Sequence, residues 1–155
     1  MNIEEKYRKA GEVISTAGGT PLPVNDTLIS LLKYFINEDE LDFVAAFADK
    51  KSQTMDQLKQ SSGLSEDEIS KKVKDLAKRG VIFNQPNSKG IMVFRLLPLF
   101  NVGTFEYKFM GKLEKSQRDK EISELFAKLF VDLKSLVQDN YDVIVPMLMG
   151  MPPID

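Results

Sequence analysis

Apolar residues recur at three- and four-residue intervals along most of this chain and give way to a β-prone pattern only between positions 81 and 96. Residues 3–14 are mixed in polarity and predict a marginal helix. Gly18-Gly19-Thr20-Pro21-Leu22-Pro23 then breaks any helix and reads as a loop. A stripe at Leu28, Leu31, Leu32, Phe35 and Ile36 follows, with Asn25 or Asp26 placed to cap it. Asn37 and Glu40 restart the chain with a second cap, ahead of a stripe at Leu41, Val44, Ala45 and Ala48 flanked by Phe43 and Phe47.

Two shorter helices come next, and each opens with a reciprocal capping signal. Thr54-Met55-Asp56-Gln57 is one capping box, with Met55 and Leu58 as the apolar residues behind it. Ser65-Glu66-Asp67-Glu68 is the other. It opens a helix with Ile69, Val73 and Leu76 inward, which Gly80 stops after Lys78 and Arg79. Ser61-Ser62-Gly63 supplies the turn between the two, and Leu64 packs as a staple. Val81-Ile82-Phe83, the turn chemistry of residues 84–90, and Ile91-Met92-Val93-Phe94-Arg95-Leu96 then predict a β-hairpin. A helix-turn-helix followed directly by a hairpin predicts a winged helix.

Pro98 ends the second strand, and residues 99–110 are rich in aromatics (Phe100, Phe105, Tyr107, Phe109) around Gly103. The last clear pattern is a long amphipathic helix from about Gln117 to Gln138. Its stripe includes Ile122, Leu125, Phe126, Leu129, Phe130 and Leu133. The expected fold class is therefore mainly α with a small β-hairpin (α+β): a winged helix-turn-helix with additional N- and C-terminal helices. Residues 1–37 form an N-terminal helical extension, 38–97 the winged helix, and 98–155 an aromatic connector, the long helix and a tail.

Composition narrows the chemistry. The 155 residues include no cysteine, histidine or tryptophan. Zinc sites of the Cys/His kind, haem ligated by His or Cys, cysteine-ligated iron–sulfur clusters, Cys nucleophiles and Ser-His-Asp triads are thus excluded within this chain. No spacing of carboxylates singles out a catalytic pair, so no enzyme activity is expected. Met1 to Ala10 lacks the apolar stretch of a signal peptide, and no apolar run reaches the roughly 18 residues of a membrane span. A cytoplasmic protein without membrane contact is the expectation.

With Val102-Gly103-Thr104-Phe105-Glu106-Tyr107-Lys108-Phe109-Met110, a long amphipathic helix and a Met-Pro ending after a winged helix, the chain resembles the N-terminal portion of prokaryotic 4Fe-4S ferredoxin-type proteins. The resemblance spans roughly Tyr7 to Pro152. In that family the winged helix precedes a cysteine-rich segment, which the resemblance would put downstream of Pro152. No ligand role carries over, because no position here matches one. The resemblance implies either a piece of a longer protein or a relative without the cluster. The iron–sulfur cluster would lie in a downstream segment, and this module would be an accessory or sensing part of an electron-transfer system. Its partner is then a protein or the missing C-terminal cluster domain.

A winged helix also raises DNA binding as the alternative, in the manner of transcription regulators of the MarR or ArsR class. The outward positions of the second helix are Asp67, Ser70, Lys71, Lys74 and Lys78, and Lys89 sits at the hairpin tip. These are the candidate nucleic-acid or partner contacts. Residues 38–97, however, carry ten acidic and ten basic side chains, and Glu66, Asp67 and Glu68 crowd the turn that would meet the bases. Charge therefore disfavours DNA, since phosphate neutralisation supplies most non-specific affinity. The same three acids also suit the helix dipole.

Other features have plain structural readings. The stripe from Ile122 to Leu133 is a candidate homodimer interface or a packing face for the chain's own core. The aromatics of residues 100–110 either line a partner site or cover the seam between hairpin and long helix. Met147, Met149 and Met151 offer an adaptable contact surface or a docked tail. Gly18-Gly19-Thr20 lacks the Lys of a phosphate loop. Glu38, Asp39, Glu40 and Asp42 lack EF-hand spacing and look like the acidic first turn of a helix.

Overall fold

The computed structural model describes residues 1–18, 22–99, 103–105, 108 and 116–143. The architecture is mixed α+β, mostly helical with a small three-stranded antiparallel sheet. In chain order it runs α1 (Ile3–Ser15), α2 (Asp26–Leu32), a 3-10 turn (Glu38–Glu40), α3 (Leu41–Ala45), β1 (Ser52–Thr54), α4 (Met55–Ser62), α5 (Glu66–Lys78), β2 (Ile82–Pro86), β3 (Met92–Leu96) and α6 (Gln117–Asp139).

The first helix is firmer than its mixed sequence predicts. Asn2 Oδ1 accepts from the Glu5 N–H and the Glu5 carboxylate accepts from the Asn2 N–H, both at 2.9 Å. This capping box satisfies two N–H groups that the first turn leaves open. Behind it Tyr7, Ala10, Val13 and Ile14 are buried, and the Tyr7 hydroxyl donates to the Ile36 carbonyl at 2.8 Å. Burial of one face, not intrinsic propensity, is what holds such a helix.

The second stripe buries all of Leu28, Leu31, Leu32, Phe35 and Ile36, although the α-helix itself stops at Leu32. Asn25 is the cap, its Oδ1 accepting from the Leu28 N–H at 3.0 Å. In the next segment the expected inward alanines give way to phenylalanines. Phe43 and Phe47 are buried and meet edge to face at 5.7 Å, whereas Ala45 is half-buried and Ala48 exposed. The helix is only five residues long, so its larger side chains, and not a long stripe, set the packing.

Both predicted capping boxes form, at Thr54/Gln57 and Ser65/Glu68. Gly63, with φ of 72°, supplies the left-handed residue that ends α4 and turns the chain into α5. The hairpin pairs Ile82 with Leu96 through to Pro86 with Met92, so β2 runs three residues past Phe83, into the stretch expected to be turn. Asn87 then closes the tip, its Oδ1 accepting from the N–H groups of Lys89 (2.9 Å) and Ile91 (3.0 Å). A third strand was not legible: β1, only three residues and polar, pairs Ser52–Thr54 with Arg95–Val93 and gives the order β1-β3-β2.

One core serves all three segments of the chain. Its buried members run from Tyr7 of α1 through Phe94 and Leu96 of β3 to Ile122, Phe126 and Leu129 of α6. Residues 1–37 therefore contribute buried side chains to the same interior as 38–97. No helix among the described residues is long and apolar enough to cross a membrane.

Candidate functional site

Helix α5 lies with Ile69, Val73 and Leu76 buried, which turns Asp67, Ser70, Lys71, Lys74 and Lys78 to solvent. All five are exposed, as is Lys89 at the hairpin tip. The structure gathers Ser70, Lys74 and Lys78 on one side of a groove of about 490 Å³ between α5 and the hairpin. Val73, Ala77 and Phe94 complete its apolar lining, and Asn84 stands opposite the lysines. Asn84 pairs with Phe94 across the ladder, so both face α5 from the inner side of the sheet.

Ion pairing sorts the charges that a sequence count leaves balanced. Lys59 reaches Glu66 at 3.4 Å, and Lys72 donates to the Asp39 carbonyl at 2.8 Å beside that residue's carboxylate. Glu68 is engaged by its cap: its Oε2 accepts from the N–H and the hydroxyl of Ser65, both at 2.9 Å. Those hydrogen bonds, backbone first, hold the Glu68 carboxyl below its ordinary range. Among the described residues, Lys71, Lys74, Lys78 and Lys89 make no ion pair. The α5 face thus has a polarity, with Asp67 at its N-terminal end and free lysines toward its C-terminal end.

Arg79 and Glu40, whose pairing the sequence does not reveal, tie the end of α5 to the 3-10 turn. Glu40 is buried, its carboxylate bound by Arg79 at 2.7 and 2.6 Å and by the Asn37 N–H at 2.8 Å. Three of the four acids from Glu38 to Asp42 are thereby engaged. Glu40 holds Arg79, Asp39 meets Lys72 and Asp42 meets Lys6. Among the described residues no group of three or more carboxylates could hold a metal ion.

The candidate dimer stripe on α6 divides. Ile122, Phe126 and Leu129 are fully buried in the chain's own core, so they are not available to a second copy. Phe126 meets Phe35 and Phe105 edge to face at 6.0 and 4.8 Å, which is why it turns inward. Leu125 and Leu133 are half-buried and Phe130 is 41% exposed. Phe105 therefore lies against the long helix. Phe100, Tyr107 and Phe109, with Met147, Met149 and Met151, lie outside the described residues.

A second groove, of about 600 Å³, runs between α2 and α6, lined by Ser30, Lys33, Tyr34, Glu121, Glu124, Leu125 and Lys128. The Tyr34 hydroxyl donates to Glu121 at 2.6 Å, and Arg118 donates to the Tyr34 carbonyl while lying over its ring. These contacts seat α6 on α2. No family model, no curated protein and no solved structure matches this chain.

Proposed function

We propose that residues 38–97 are a winged helix and that the protein is a non-catalytic interaction module of a 4Fe-4S ferredoxin-type system, which meets a protein partner through α5 and the hairpin. Two capped helices, the hairpin directly after them and a short strand completing a β1-β3-β2 sheet support the winged-helix reading. The observation that carries the choice of partner is the first turn of α5. Glu66, Asp67 and Glu68 are all exposed where a recognition helix would approach base edges. Lys59 and Lys72, two of the nearest cations, are drawn into ion pairs.

The second reading, a DNA-binding regulator of the MarR or ArsR class, is favoured by the unpaired Lys71, Lys74 and Lys78. Titration of random duplex DNA at low salt separates the two. The interaction module predicts no detectable binding, and a micromolar affinity that falls steeply with salt overturns it. The ferredoxin association is tested separately: a cysteine-rich segment encoded after Pro152 supports it, and a gene without one removes it.

A further inference from the structure

We infer that the groove between α5 and the hairpin is a docking site for an acidic, apolar-anchored segment of a partner protein; this rests on the interaction reading above and assigns its contact point. The groove joins an apolar floor to a one-sided cationic rim. Val73 and Phe94, which form the floor, are almost fully buried by the fold, while half-buried Ala77 leaves room above it. Its volume, about 490 Å³, falls in the range of sites that take a few side chains and not a folded domain.

The rim supplies the charge. Lys74 and Lys78 line the groove, stand one helical turn apart and make no hydrogen bond or ion pair among the described residues. Their ammonium groups are hydrated in the free protein, so a carboxylate that meets them gains attraction without displacing an internal partner. Lys71 extends the positive rim around the outer face of the helix. Toward the N-terminal end stand Glu66, which is paired with Lys59, and Asp67, about 10 Å along the axis from Lys74 at the usual helical rise. That asymmetry orients the segment, with its carboxylates toward Lys74 and Lys78 and away from Asp67.

The far wall fits a peptide backbone. Asn84 is exposed, offers both a donor and an acceptor, and is held by nothing stronger than a 3.6 Å contact from its Nδ2 to the Met92 sulfur. Met92 is itself 42% exposed, leaving an adaptable apolar edge on the hairpin. A nucleic acid would need cations on both walls, and of the hairpin's two, Lys89 sits at the tip and Arg95 pairs with Phe83 on the face away from the groove.

The test is fluorescence anisotropy on the whole chain with a short labelled peptide in which Asp and Glu alternate with Leu. The controls are the same peptide with Asn and Gln for its acids, and random duplex DNA. The acidic peptide is expected to bind with salt-dependent affinity and the neutral one not to bind. Lys74→Glu combined with Lys78→Gln is expected to weaken the acidic peptide about tenfold, because a like charge then faces its carboxylates. Lys78 takes Gln, since a carboxylate in the last turn would oppose the helix dipole. Ala77→Met, which fills the floor and leaves every charge in place, is expected to weaken it too. Lys134→Glu, on the exposed side of α6, is expected to change nothing. Equal binding by the double variant, equal binding by Ala77→Met, or no peptide binding at all overturns the docking site while leaving the interaction reading intact. Salt-steep binding of the duplex removes both.

Discussion

Arg79 grips Glu40 through two parallel hydrogen bonds, Nη1 to Oε1 at 2.7 Å and Nη2 to Oε2 at 2.6 Å, and spends a third on the Phe35 carbonyl at 2.6 Å. One guanidinium thus ties the end of α5 to the 3-10 turn and to the chain leaving α2. The carboxylate side chain is only 4% exposed, so the pair is shielded from water and salt on the Glu40 side. Removing one partner strands the other in the interior. Arg79→Ala is expected to cost about 3 kcal/mol, the usual range for breaking a buried pair. Urea denaturation checks it: the midpoint should fall with little change in slope. A loss below about 0.5 kcal/mol, the level of a neutral surface change, would show that the pair contributes little.

Phe126 and Val131 lie five positions apart on α6 and should respond very differently. Phe126 is 1% exposed and touches Phe35 and Phe105, while Val131 is 63% exposed. Phe126→Ala is expected to cost about 3–5 kcal/mol, from lost burial plus a cavity. Val131→Ala should stay within about 0.5 kcal/mol. Similar thermal shifts for the two would mean that α6 does not share the core.

Gly103 leaves no space for a methyl group. A Cβ built there would stand 1.7 Å from the Pro98 carbonyl oxygen, where the chain folds back so that the Thr104 N–H can reach that same oxygen at 3.1 Å. Since the obstacle is backbone and cannot rotate away, Gly103→Ala is expected to destabilise by about 2 kcal/mol or more. It should also loosen the neighbouring bond from the Thr104 hydroxyl to the Gly80 carbonyl, 2.8 Å and buried. Amide hydrogen exchange across residues 103–105 reads the local effect. Unchanged protection there, with an unchanged melting temperature, would refute the close approach.

The Tyr34–Glu121 contact has a defined pH signature. The Tyr34 hydroxyl, and after it the Gln117 amide, hold the Glu121 carboxyl below its ordinary value, and the same hydrogen bond is the main cause that raises Tyr34 above its own. A depressed carboxyl contributes stability above its unfolded value near 4.5, and that contribution is lost as pH falls through the lower folded value. A raised tyrosine contributes below its unfolded value near 10 and loses the contribution as pH climbs through the folded one. Tyr34→Phe should move the Glu121 titration upward in a carboxyl-resolved NMR experiment. If the midpoint does not move, the hydroxyl is not what depresses it.

Local signals were legible because they act within a few residues. The boxes at Thr54/Gln57 and Ser65/Glu68 each close over three positions, and the stripe at Ile69, Val73 and Leu76 buries as its spacing implies. Asn2 and Glu5 carry the same signature, and Ile3, Tyr7, Ala10 and Ile14 recur behind them at helical spacing, a stripe made faint by the small Ala10 and the amphipathic Tyr7. β1 left still less to see. Three polar residues carry no period, and they become a strand only because β3 offers them a hydrogen-bonding edge.

For the candidate site, the outward face of α5 could be predicted from periodicity, but its charge could not. Lys59, Lys72 and the three free lysines look alike along the chain. What distinguishes them is whether an acid from another element lies within reach. The groove was equally hidden, since Ala77 of α5 and Phe94 of β3 come from different elements, and it is the strand register that sets Asn84 beside Phe94.

Taken alone, the amino-acid order determined where the helical stretches lie, where several of them are capped, that a hairpin follows α5, and that cysteine and histidine chemistry is absent from this chain. Those properties depend on steric preference, on hydrogen bonds closed within a turn, and on side-chain identity. Tertiary structure decided the remainder: which half of the α6 stripe is interior, which acid neutralises which base, and where an apolar floor lies beside unpaired lysines. Each of these depends on groups brought together over long separations, Glu40 with Arg79 across 39 positions and Tyr34 with Glu121 across 87. Contacts of that kind exist only once hydrophobic burial has closed the chain on itself.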